Sequence, residues 1–147
     1  MALTMAALAT CGPARSSMQV PSPPPMLTLP AEYAFGDAIA AADSAAIGHV
    51  VDLFQGRFSR PEIVRYTASS RTDFDRLKAY YDAGATAAGW EPLPDLGRDL
   101  PPGERAIGYH AGSSAFVVVW LTPRPESALV PVNVIRFGRA LAERDAR

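Results

Sequence analysis

Two histidines, one cysteine and a scatter of serines and carboxylates are what this chain of 147 residues offers for chemistry. Nucleophilic catalysis needs a base within reach of the nucleophile and a third group that orients the base. Ser113 and Ser114 sit in AGSSA, without the glycine spacing of a nucleophile elbow, and nearby His110 falls in a strand-like run with no acid set opposite it. A proline-rich stretch separates Cys11 from the rest of the chain, which removes a thiol–imidazole pair. His49 and Asp52, three apart, can share a helical face, but no third ligand accompanies them. Cys11, His49 and His110 are together too few for a four-ligand zinc site. FGDA, AGAT and AGSS lack the glycine spacing and the lysine of a phosphate loop. No catalytic constellation, metal site or cofactor is therefore expected.

The cations are almost all arginine. Lys78 is the single lysine, and the 14 basic residues stand against 15 acidic ones, so no global field draws nucleic acid. Arginine enrichment beside abundant alanine is a compositional bias and carries no site information by itself. Position does more. Arg57, Arg60 and Arg65 gather beside Tyr66, a composition suited to an anionic ligand or a partner, and equally to an edge strand that resists aggregation. Tyr80 is expected to face partly outward, and Trp90 to pack back over a helix end. Arg60, Arg65, Tyr66, Tyr80, Trp90, Tyr109 and Trp120 make up the candidate partner or ligand surface.

The elements that must position these residues follow from periodicity. Between Phe35 and Gln55, Ile39, Ala42, Ala46, Val50 and Leu53 recur at helical spacing, with Asp37 placed to cap them. Gly48 leaves open a shorter helix followed by a strand from His49 to Phe54. PEIVRYTASS, from Pro61, alternates like a strand. Ser70 or Thr72 can then cap a helix whose stripe is Phe74, Leu77, Tyr81, Ala85 and Ala88, with Asp73 and Asp75 in its first turn and Gly89 as its stop. Gly84 inside that helix costs about 1 kcal/mol relative to alanine. After a proline-rich loop, Ala106–His110, Ala115–Thr122 and Leu129–Phe137 read as a meander. In FVVVWL both alternating sets are apolar, so this strand is buried on both faces. The Phe74 helix covers one face, and the Phe35–Gln55 segment or a protein partner must cover the other. Pro131 places the final strand at an edge or a bulge. The expected architecture is α+β: one or two helices packed on a mainly antiparallel sheet that ends in a three-stranded meander.

The chain opens on MALTMAALAT, an uncharged, small and apolar run that stops at Cys11-Gly12. Leu8-Ala9-Thr10-Cys11 resembles the lipobox of small bacterial lipoproteins, departing from it at Thr10 and in having no Lys or Arg ahead of the apolar run. The resemblance implies that residues 1–10 are removed, that the Cys11 thiol is lipidated, and that the protein lies in the periplasm, anchored to the inner or outer membrane. Residues 11–30 carry Pro13, Pro21, Pro23, Pro24, Pro25 and Pro30 and read as an extended tether that could hold a domain about 55–60 Å from its anchor. Residues 31–138 are then a single domain that folds without the tether, and residues 139–147 a charged tail. The expected function is that of a lipid-tethered, non-catalytic accessory or assembly subunit with a protein partner in the envelope. The alternative is a small-molecule binding module with a pocket between helix and sheet near Trp90, Tyr109 and Trp120.

Overall fold

Pro61–Ser69 (β1), Glu91–Leu93 (β2), Glu104–Ala111 (β3), Ser114–Leu121 (β4) and Leu129–Phe137 (β5) form one antiparallel sheet in the order β1-β5-β4-β3-β2. Helices Asp37–Leu53 (α1) and Phe74–Ala87 (α2) lie on its two faces. The computed structural model describes residues 18–30, 35–94 and 96–138. The α+β class read from periodicity is the class observed. Alternation along β4 decides the layering: Phe116, Val118 and Trp120 join Leu77, Tyr81 and Ala85 of α2, while Val117, Val119 and Leu121 join Ala46, Ile47 and Val50 of α1. The chain thus supplies both covers for its most apolar strand, and β4 needs no partner.

The start of α2 is capped by Asp73 rather than Ser70 or Thr72, its carboxylate accepting the Asp75 N–H at 3.0 Å. At the other end Gly89 takes φ 83°, the Gly89 N–H reaches Thr86 O at 3.1 Å, and the Trp90 N–H reaches Ala85 O at 2.9 Å. These are the two bonds of a Schellman stop, and they turn Trp90 back onto the helix as expected. Helix α1 runs unbroken through Gly48, so the alternative strand from His49 does not form. Gly36, not Asp37, is its cap residue, and Asp37 sits in the first turn.

The buried stripe of α1 is Asp43, Ala46, Ile47 and Val50, one step round from the apolar stripe in the sequence. Asp43 causes the rotation. Only 1% exposed, it accepts from Asn133 Nδ2 on β5 at 2.5 Å and from Arg65 Nη1 on β1 at 2.8 Å. A carboxylate is tolerated at such depth only when charge and hydrogen bonds compensate it. Both donors project from the α1 face of the sheet, so the polar cluster ties the helix to β1 and β5.

Pro131 is not on an edge strand, since β5 lies between β1 and β4. Opposite it on β1, Thr67 turns its N–H and C=O outward to Thr28, which makes Thr67–Pro131 a pair without mutual hydrogen bonds. The missing N–H therefore faces β4, where the ladder has already ended at Trp120–Val132.

Residues 18–30 correct the tether. They are extended, as proline density demands, but they lie against the domain as a strap. A turn closed by Leu27 N–H to Pro24 O at 3.0 Å, with Pro25 in its favoured place, drops Leu27 into the α2-side core. Thr28 and Thr67 then exchange two backbone hydrogen bonds of 2.8 and 2.9 Å. Nearer the start, Tyr80 Oη donates to Ser22 O at 2.9 Å and Trp90 Nε1 to Gln19 O at 3.0 Å. Gly84 now has a reason: a Cβ there would stand 3.0 Å from Pro21 Cβ, so the glycine lets the strap lie on the helix. Cys11 and residues 139–147 fall outside the described residues.

Candidate functional site

Helix α2 does not span the whole sheet face, and the strap runs beside it. Beside them, over the β1–β5 part of the sheet, lies a half-open groove of about 660 Å³. Its floor is Val64 and Val134, a cross-strand pair of β1 and β5, with Tyr66 at one end and Arg136 at the other. Tyr81, Trp90 and residues 18–23 of the strap, which Trp90 holds through Gln19 O, line its side. The volume is in the range of small-molecule sites, and an apolar floor and wall are bordered by a lining that is polar over much of its surface.

The charged and phenolic groups of that lining can donate. Arg136 takes part in no ion pair among the described residues, although Glu62 stands directly opposite it on β1. The hydroxyls of Tyr66 and Tyr81 likewise make no hydrogen bond among the described residues. Tyr81 is fully buried as a residue yet lines the groove. Burial, and then the neighbouring Tyr66 and Tyr80, push its phenol above the ordinary range, so it keeps its proton.

The proposed surface residues fall into separate places. Tyr66 and Trp90 meet in the groove. Tyr80, 37% exposed, is beside it but is spent on holding Ser22. Tyr109 and Trp120 are core: Tyr109 stacks on Phe116 at 4.9 Å, and Trp120 packs on Phe74 at 5.4 Å. Tyr109 borders only a smaller cleft of about 250 Å³ beside Lys78 and Asp82, and the larger opening lies elsewhere, at Trp90. Arg65 points to the opposite sheet face from Tyr66 and holds Asp43, so no arginine–tyrosine patch forms there. Arg60 is exposed ahead of β1, and Arg57 rests against Phe54 and Phe58, 5.7 Å from each ring. Arg136 was missed. Its signal is the alternation Val132, Val134, Arg136, which puts a cation at the end of an otherwise apolar face.

Other ionisable groups are tied to one another. Tyr109 Oη donates to Asp82 Oδ1 at 2.6 Å and Lys78 Nζ to Asp82 Oδ2 at 2.5 Å. Desolvation raises the Asp82 pKa, but the hydrogen bonds from Lys78 and Tyr109 and the Lys78 charge together outweigh it, leaving the carboxyl below its usual value. Tyr109 is pushed above the phenol range by burial first and by Asp82 second. His49 Nδ1 lies 3.0 Å from Glu104, and His110 Nε2 lies 3.5 Å from Glu91. Neither histidine is paired with a serine, and no group of three or more metal-ligating side chains occurs among the described residues.

Compared with protein-family models, curated proteins and solved structures, the chain matches none. No helix among the described residues is long and apolar enough to cross a membrane.

Proposed function

We propose that this chain is a non-catalytic binding module, held to the cell envelope through a lipid on Cys11, whose ligand site is the groove between the strap and the sheet. One observation carries the reading: α1 and α2 close both faces of β4, so the concave surface left on the α2 side is a formed opening and not an uncovered strand. That favours the pocket alternative over an accessory subunit, whose main motive was a sheet face in want of a cover. Of the three residues expected around the site it keeps Trp90, with Tyr66 in place of Tyr109 and Trp120. With no nucleophile, base and orienter assembled at its walls, binding is the activity the groove supports.

The neutral fluorescent probe N-phenyl-1-naphthylamine tests the reading. The full chain should bind it saturably, and Val64→Trp, which fills the floor from a half-buried position, should abolish the signal while leaving the circular dichroism unchanged. Absence of saturable binding, or binding indifferent to Val64→Trp, overturns the proposal.

A further inference from the structure

The groove has a chemical polarity that names the class of its ligand. Along the floor the side chains run Tyr66, Val64 and Val134, Arg136, so an apolar middle leads to a single guanidinium where β5 ends. Among the described lining residues the one charged side chain is the Arg136 guanidinium, and the Tyr66 and Tyr81 hydroxyls, with the polar side chains of Gln19, Ser22 and Ser114, add groups that can donate. Among the described residues no carboxylate lines the groove, and Glu62, placed to neutralise Arg136, makes no ion pair with it. Tyr81 adds a second donor, because its residue is buried while its hydroxyl, which meets no acceptor among the described residues, lines the groove. Held protonated, it keeps an O–H to donate at ordinary pH. Guanidinium binds carboxylate in a fork of two parallel hydrogen bonds, and Val64, Val134 and Trp90 offer an apolar body nothing polar to pair with.

Resting on the groove as the ligand site, we infer that it takes an amphipathic carboxylate, the acid group at Arg136 and the apolar body laid over Val64 and Val134 towards Tyr66 and Tyr81. Arg136 is itself exposed, so solvent weakens the contact and the acid group's advantage is modest.

Three probes with one tail separate the possibilities: dodecanoate, 1-dodecanol and dodecyltrimethylammonium, each below its micelle concentration, displacing N-phenyl-1-naphthylamine from the full chain. Dodecanoate should bind about tenfold more tightly than the alcohol, and the cation more weakly than both. Arg136→Met should bring dodecanoate down to the level of the alcohol and leave the alcohol unchanged, which also shows that the variant is folded. Arg136→Lys should keep part of the advantage. Equal displacement by dodecanoate and dodecanol overturns the inference while the groove remains a binding site. An advantage for dodecanoate that survives Arg136→Met overturns it as well. Failure of the fluorescent probe itself to bind removes the underlying reading instead.

Discussion

Replacing Leu27 by alanine sets two accounts of the proline-rich segment against each other. A free tether has no core contacts, and the substitution would cost nothing. In the strap, Leu27 is 8% exposed and packs with the α2-side core, whereas Leu29, two residues on, is 64% exposed. Leucine-to-alanine changes in cores cost about 2–5 kcal/mol, the lost transfer energy plus the cavity left behind. Leu27 sits at the margin of its core, where the site can partly collapse, so about 2–3 kcal/mol is expected. In a domain of this size that lowers the melting temperature by about 10 °C. Leu29→Ala, which removes the same atoms from a solvated position, should stay within about 0.5 kcal/mol of the parent. Urea unfolding followed by circular dichroism, with calorimetry for the melting temperature, measures both in the full chain. If the two variants unfold together, residues 18–30 contribute no core and the strap is refuted.

The two helical glycines make a second comparison. Gly48 on α1 has nothing near its missing Cβ, so Gly48→Ala should stabilise by about 0.5–1 kcal/mol, whereas at Gly84 the 3.0 Å approach of Pro21 should cancel that gain; equal stabilisation in thermal melts would show that the strap does not touch α2. Tyr81 and Tyr109 have folded pKa values above the unfolded one near 10, so their neutral phenols add stability below that pH which is lost as the pH climbs past it. Phenolate absorbance should therefore be unchanged in Tyr81→Phe and Tyr109→Phe until alkaline unfolding, and an earlier loss of signal in either variant contradicts the burial argument. Asp82 has the opposite sign: its lowered pKa adds stability above about pH 4 that disappears as acid protonates it, and Tyr109→Phe, by removing one donor, should shallow the acid limb of the stability profile.

What could be read in the sequence was local. The stripe Phe74, Leu77, Tyr81 and Ala85, the Gly89 stop and the doubly apolar FVVVWL each depend on neighbours a few residues away and are seen as read, whereas Ala88, read as part of the stripe, is the exposed cap residue. What could not be read depends on partners far along the chain. Asp43 gives no local sign of burial, because its compensating groups, Arg65 and Asn133, are 22 and 90 residues distant. Pro131 suggested an edge because a sequence does not show which side of a strand its missing N–H will face; the Thr28–Thr67 pairing settles that. The prolines from Pro21 to Pro30 specify an extended backbone but not what it lies on. Gly84 was a hint, a costly residue on a helix otherwise free of breakers, and it is explained by contact with Pro21. Of the site, Tyr66 and Trp90 were identified by type, while Arg136 needed the register of β5 against β1 before it acquired neighbours.

The docked strap also changes the geometry at a membrane. For a chain anchored at Cys11, a spacer running to residue 30 would leave the domain free to range far from the lipid. With Met18 already against Gly89, only residues 12–17 intervene between anchor and domain. Fully extended, that span covers at most about 25 Å. The portion of the protein held nearest the bilayer is then residues 18–23, which form one wall of the groove. If Cys11 carries the proposed lipid, such a domain would sample the headgroup layer, and a ligand with a greasy tail would pass between membrane and groove without crossing open water.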